Sequence, residues 1–138
     1  MLEALPEFTS KPEALLAACA FGYLAGSIPF GILIAKILGL GDLRRVGSGN
    51  IGATNVLRTG NKLAAFLTLL FDFSKGICAV LITRHFFGED AVQVSAFSAL
   101  VGHCFPIWLR FSGGKGVATF LGATIALSFL IGIICCFA

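Results

Sequence analysis

Charge is scarce in this sequence. Asp, Glu, Lys and Arg make up 12% of its 138 residues, about half the ~25% of an average soluble domain. A water-soluble fold of this length must cover its core with polar surface, and ten Lys/Arg with seven Asp/Glu supply too little. A disordered chain is excluded too, because so little charge leaves ample apolar surface to bury. There is no basic stripe, and a net charge of +3 is modest, so a nucleic-acid-binding module is excluded. The cysteines (Cys19, Cys78, Cys104, Cys135 and Cys136) include no C-x-x-C pair and lie in or beside apolar runs. That pattern argues against a zinc site or disulfide scaffold and for inert buried thiols. The N-terminus sets Glu3, Glu7 and Glu13 against Lys11 alone, the reverse of the basic start of a signal peptide. What remains is apolar: 57% of residues, with a mean hydropathy of +0.96. This is the composition of an integral membrane protein.

Four apolar segments, at about 15–40, 63–83, 91–109 and 117–138, reach or approach the ~20 residues that carry a helix across a ~30 Å hydrocarbon core. In lipid the backbone must satisfy its own hydrogen bonds, so runs this long are helices. The strict alternation of a transmembrane β-barrel is absent. The sequence therefore predicts an all-α, polytopic helical bundle with four transmembrane segments, residues 1–138 forming a single membrane domain. The 41–62 loop carries Arg44, Arg45, Arg58 and Lys62 against Asp42, and the 110–116 loop carries Arg110 and Lys115 with no acid. The excess of Lys and Arg places both loops in the cytoplasm. The N-terminus and the 84–90 loop, where Glu89 and Asp90 oppose Arg84, then lie outside, with Ala138 near the outer face.

Several residues break the apolar pattern. Gly22, Gly26, Gly31 and Pro29 give the first segment a kinked face of small residues, suited to close helix packing. Asp72 and Lys75 stand at i and i+3 in the second segment, where they share a helix face and can neutralise each other. Ionisable groups inside a span usually face a bundle interior or a watery cavity. His103, three residues before Pro106, reads first as a packing or interfacial residue.

Three pattern matches are misleading, two of them in the glycine-rich loops. Gly47, Gly49 and Gly52 spell G-x-G-x-x-G, but membrane spans flank them where a dinucleotide fingerprint needs a βαβ unit. Gly114-Lys115-Gly116 lacks the Ser or Thr of a phosphate-binding P-loop. The real signal is where polar residues and glycines collect. One loop runs GSGNIGATNVLR from Gly47 to Arg58, the other FSGGKGVAT from Phe111 to Thr119. Glycines let backbone N–H groups turn toward an anion, and a helix starting after such a loop adds its positive end. Arg58 can grip a phosphate with two donors, and Lys115 acts as a compact charge. The bland alternative is interfacial loops whose cations reach lipid headgroups.

GSIPFG (Gly26 to Gly31), GSGNIGATNVLR, DFSKG (Asp72 to Gly76) and GHCFPIWLRFSGGKGVAT (Gly102 to Thr119) resemble, in this order, the bacterial acyl-phosphate:glycerol-3-phosphate acyltransferases of the PlsY family. The resemblance implies transfer of a fatty acyl group from acyl phosphate to the sn-1 hydroxyl of glycerol 3-phosphate in the bacterial inner membrane. Lysophosphatidic acid and phosphate are the implied products, and no metal or organic cofactor is expected. By resemblance, Ser48 and Arg58 map onto the family's essential serine and arginine. Gly113, Gly114 and Gly116 map onto its glycerol-phosphate loop, with Lys115 an implied phosphate contact. Asn50, Asn55, Asp72, Lys75 and His103 also match the motifs, and Asn50, Asn55, Lys75 and His103 are implied substrate contacts. Ser48 is more attractive as a hydrogen-bond donor than as a nucleophile, since no base stands beside it in sequence. His85 and Asp90 spell H-x4-D, the signature of another glycerolipid acyltransferase family, but the charge pattern puts that loop outside.

Members of the PlsY family continue through further membrane segments to a third motif with a functional His and Asn, so the chain reads as C-terminally truncated. An alternative function for the same loops is the gate of a small transporter or channel subunit for an anionic solute. Inverted repeats would favour that reading, and none is apparent.

Overall fold

The computed structural model describes residues 10–137, and every regular element among them is helical. Its α-helices are α1 (Pro12–Gly26), α2 (Phe30–Ile37), α3 (Ala53–Leu57), α4 (Lys62–Phe86), α5 (Glu89–Cys104), α6 (Val117–Leu127) and α7 (Phe129–Phe137). Single 3-10 turns lie at Leu43–Arg45 and Ile107–Leu109. Glu3 and Glu7, which contribute to the expected N-terminal orientation, lie outside the described residues, as does Ala138.

Helix α1 starts at Pro12, whose missing N–H is harmless in a first turn, with Glu13 beside the positive end of the helix. Pro29 interrupts the run because it cannot donate and its ring crowds the preceding turn, and the chain restarts as α2. Asn61 starts α4 by accepting the Ala64 N–H at 2.9 Å. Three stretches are long and apolar enough to cross a membrane: Pro12–Ile37, Lys62–Phe86 and Glu89–Leu109.

The fourth expected segment differs. Ser128 is extended (φ −150°, ψ 110°) and divides it into α6 and α7. Gly132 of α7 rests against Ile125, so α7 folds back on α6 instead of continuing it. The Arg84 guanidinium donates to the Ala126 carbonyl at 2.7 Å, satisfying an acceptor that a continuing helix would have used. The structure thus holds three long spans and a shorter apolar helix where four continuous spans were expected.

The helices pack by close backbone approach. A Cβ on Gly22 or Gly26 of α1 would overlap the backbone of Ser95 or Ala99 in α5, and one on Gly102 would overlap Tyr23. The crossing of α4 and α6 repeats the device, with Gly76 on Thr119 and Gly122 on Phe73. Ala18, Ala79, Ala91 and Ala99 are fully buried, whereas Leu16 is 71% exposed and Phe97 69%. Small residues inside and large ones outside suit a lipid solvent, where association rests on close packing rather than on escape from water. Near the site, the chain leaving α5 is stapled to the end of α1. Tyr23 Oη donates to Phe105 O at 2.9 Å and accepts the Ile107 N–H at 3.1 Å, and Trp108 Nε1 donates to Ser27 O at 2.9 Å.

Candidate active site

The first glycine-rich loop wraps around one buried side chain. Asn55, in α3, is 2% exposed and uses both ends of its amide. Its Oδ1 accepts the Ser48 N–H at 3.1 Å and the Ser48 hydroxyl at 3.4 Å. Its Nδ2 donates to Leu43 O at 2.9 Å and to Asn50 O at 2.7 Å. Asn50 Oδ1 in turn accepts the Gly52 N–H at 3.0 Å. Gly47 has φ +50°, and a Cβ there would stand 2.6 Å from Arg58 Cδ, so the glycine gives the arginine stem its place. Ser48 and Arg58 are exposed, and the Arg58 guanidinium has no hydrogen bond or ion pair among the described residues.

The second loop is latched rather than open. Gly113 N–H donates to Cys104 O at 3.0 Å and Gly114 N–H to His103 O at 3.1 Å. These two groups, expected to turn toward an anion, are committed inside the protein. Their glycines serve close approach instead, since a Cβ on Gly114 would strike the His103 ring and one on Gly113 the His103 carbonyl. Gly116, at φ +80°, then turns the chain into α6 with no capping side chain. That leaves the first-turn N–H groups of α6 as the backbone donors on this side. Lys115 is exposed, and its ammonium is unpaired among the described residues.

Behind both loops lies a buried ionic cluster. Lys75 Nζ sits 2.8 Å from Asp72 Oδ1 and donates to Ile28 O at 2.9 Å, a carbonyl at the Pro29 break. It also lies 5.8 Å from the Phe30 ring centre. His103 Nδ1 lies 3.6 Å from the same Asp72 oxygen, beyond hydrogen-bond length, and is otherwise unpartnered among the described residues. The Asp72 carbonyl accepts the Thr119 hydroxyl at 2.9 Å, tying α4 to α6.

A cavity of about 310 Å³ opens where these parts meet. Of the residues singled out from the sequence, Ser48, Asn50, Asn55, Arg58, His103, Lys115 and Gly116 line it. Lys75, Gly113 and Gly114 do not; they stand behind it, one as a fastener and two as a latch. Asp72, which the sequence also singled out, and Thr54 join the lining, and Leu69, Val117 and Leu121 make part of the wall apolar. Two free cations and the start of α6 outweigh one neutralised carboxylate, so the cavity favours an anion. Sequence reasoning missed Arg44, grouped with Arg45 as a topogenic charge. Its guanidinium bonds Ser112 across the two loops, and no local pattern announces a contact between positions 68 residues apart.

Fold and site together define a polytopic membrane protein with a cavity, lined by Arg58 and Lys115, built from two loops at the ends of its helices. The family model described as glycerol-3-phosphate acyltransferase matches residues 16–138. The chain belongs to the glycerol-3-phosphate acyltransferase family. A glycerol-3-phosphate acyltransferase of Roseobacter denitrificans is 64% identical over 130 residues, covering 91% of this chain and 65% of the relative. One from Jannaschia sp. is 65% identical over 132 residues, covering 96% and 65%. Among solved structures, the glycerol 3-phosphate form of PlsY (YgiH), an integral membrane glycerol 3-phosphate acyltransferase, superposes with a TM-score of 0.80. It is 43% identical, over 88% of this chain and 61% of that one. Its lysophosphatidic acid form gives a TM-score of 0.75 at 38% identity, over 88% and 60%. The chain thus spans about two thirds of the length of these curated relatives.

Proposed function

We propose that the protein transfers a fatty acyl group from acyl phosphate to the sn-1 hydroxyl of glycerol 3-phosphate, giving lysophosphatidic acid and phosphate, the first step of phospholipid synthesis. The observation that carries this reading is the convergence of Ser48, Arg58 and Lys115 on one part-apolar cavity. The glycerol 3-phosphate and lysophosphatidic acid forms of the similar PlsY structure support it.

Acyl phosphate is an activated mixed anhydride, so the site need only position two anions and stabilise developing charge. Arg58 and Lys115 offset the repulsion between the two phosphates, aided by the N–H groups of the α6 start. Ser48, held through Asn55, offers its hydroxyl to a phosphate or carbonyl oxygen. The glycerol hydroxyl oxygen attacks the acyl carbon, the carbon–oxygen bond to phosphate breaks, and the hydroxyl proton passes to a phosphate oxygen. Asn50 and His103 line the place where substrate binds, while Asn55, Lys75, Gly113 and Gly114 keep the walls in position.

In this reading the protein lies in the bacterial inner membrane with both loops in the cytoplasm and the N-terminus outside, following the Lys/Arg bias. At 11 residues α6 is about half the ~20 residues a crossing needs, and it packs along α4, Thr119 meeting Asp72 and Ala126 meeting Arg84.

The test is a chimera in which residues 16–138 replace the matched stretch of the Roseobacter denitrificans relative, assayed in membranes. The expected result is lysophosphatidic acid formation that needs both acyl phosphate and glycerol 3-phosphate. Arg58→Ala should lower it by about a hundredfold or more, the scale for losing one charge-stabilising donor, while Arg45→Ala leaves most of it. No acceptor-dependent product would overturn the reading, and equal losses from both substitutions would overturn the assignment of Arg58 as the phosphate ligand.

A further inference from the structure

We propose that Arg44 is a positioning residue that sets the spacing between the two loops carrying Ser48, Arg58 and Lys115, and so aligns the two phosphate-bearing substrates. The proposal rests on the acyl-transfer reading above. The first loop joins α2 to α3 and the second joins α5 to α6, so each reaches the cavity from different helices. Arg44 Nη1 donates to Ser112 Oγ at 3.2 Å and Nη2 to the Ser112 carbonyl at 2.8 Å. Among the described residues these are the only direct hydrogen bonds between residues 41–61 and 110–116.

Both ends of this bridge are anchored. The Arg44 N–H donates to Asp42 Oδ1 at 3.0 Å, fixing the turn from which the side chain leaves. A Cβ on Gly49 would stand 3.1 Å from the Arg44 carbonyl, so the Ser48 loop lies directly on the same turn. At the far end, the Ser112 N–H donates to Leu109 O at 3.1 Å, and the Gly113 and Gly114 latch follows at once. Lys115 comes next in the chain, so the bridge connects the turn beneath Ser48 to the latch that presents Lys115. Arg45 makes the contrast: its side chain is 88% exposed and, among the described residues, pairs only with Asp42, at 3.6 Å.

Two substrates that must meet within bonding distance are sensitive to slack between their holders. A misplacement of about 1 Å can cost about a hundredfold in rate. The planar guanidinium reaches hydroxyl and carbonyl together through two nitrogens, a geometry that a lysine ammonium cannot reproduce. Arg44→Lys should therefore restore charge without restoring register.

Two measurements test the proposal. In the first, hydrogen exchange is followed by mass spectrometry on the protein in nanodiscs, without substrate. Arg44→Ala should speed exchange in the peptide containing the Gly113 and Gly114 amides by about tenfold, the signature of local opening. Arg44→Lys should speed it as well, Arg45→Ala should match the parent, and the α4 peptides should stay protected, showing an intact bundle. In the second, the chimera carrying Arg44→Ala should lose about ten- to a hundredfold in kcat, with KM for both substrates little changed. Phosphate released per lysophosphatidic acid formed should rise above one, because water competes for a misaligned acyl group; a smaller folded fraction would leave that ratio at one. Unchanged exchange would overturn the proposal, and so would faster exchange with unchanged kcat and product ratio. An inactive parent chimera would instead count against the acyl-transfer reading, and the exchange result would still decide whether Arg44 holds the loops together.

Discussion

Asn55 uses its amide entirely inside the protein, binding Ser48 twice and the carbonyls of Leu43 and Asn50. Removing it would leave two carbonyls without that donor, a loss of about 1–3 kcal/mol. Asn55→Ala should thus lower Tm in detergent with no substrate present; an unshifted Tm would make Asn55 a ligand contact rather than a support. Lys75 is the sharper case, because its loss leaves Asp72 buried in a span. Lys75→Met should destabilise by about 3–5 kcal/mol, as expected when one partner of a buried pair is removed. Arg58→Ala, which breaks no contact of its guanidinium, should leave Tm within about 0.5 kcal/mol of the parent. A thermal melt of both variants checks the contrast, and equal shifts would contradict it. The Asp72–Lys75 pair was legible from its i,i+3 spacing. The bond from Lys75 to Ile28 was not, because it joins positions 47 residues apart through a backbone group that no composition reveals.

At the scale of the element, the α1–α5 crossing depends on the absence of side chains at Gly22, Gly26 and Gly102. A methyl at Gly26 meets the Ala99 backbone, which cannot swing aside as a side chain would. Gly26→Ala should therefore separate the helices and cost about 1–3 kcal/mol, as overpacking does, despite the better helix propensity of alanine. Leu16→Ala, on the exposed face of the same helix, should change Tm little. A Gly26→Ala protein as stable as the parent would show that the crossing is looser than described. The three long spans were legible because lipid imposes length and hydropathy, and the glycine face of the first span announced its packing role. The division of the last segment was hidden in an unbroken apolar run, since it depends on Arg84 reaching Ala126 from α4. The second loop was read correctly as glycine-dependent, but for a different reason. Its glycines admit the His103 ring and the latch bonds, where the sequence suggested free N–H donors.

In the whole molecule, the bundle brings together two loops that are far apart in the chain, and the cavity exists only where both are in place. Ser48, Arg58 and Lys115 were legible as candidates from residue type and motif, and all three line that cavity. What the sequence could not supply was the division of labour around them, which follows from burial and from contacts such as Arg44 to Ser112. The central claim is that a phosphate-bearing substrate sits where the loops meet. Equilibrium binding of radiolabelled glycerol 3-phosphate to the purified protein in nanodiscs tests it most directly. The account predicts saturable binding that inorganic phosphate displaces. Binding should weaken about tenfold or more in Arg58→Ala and in Lys115→Ala, as expected for loss of a charge-assisted contact, and should stay at the parent value in Arg45→Ala. Absence of saturable binding, or the same loss in all three variants, would contradict it.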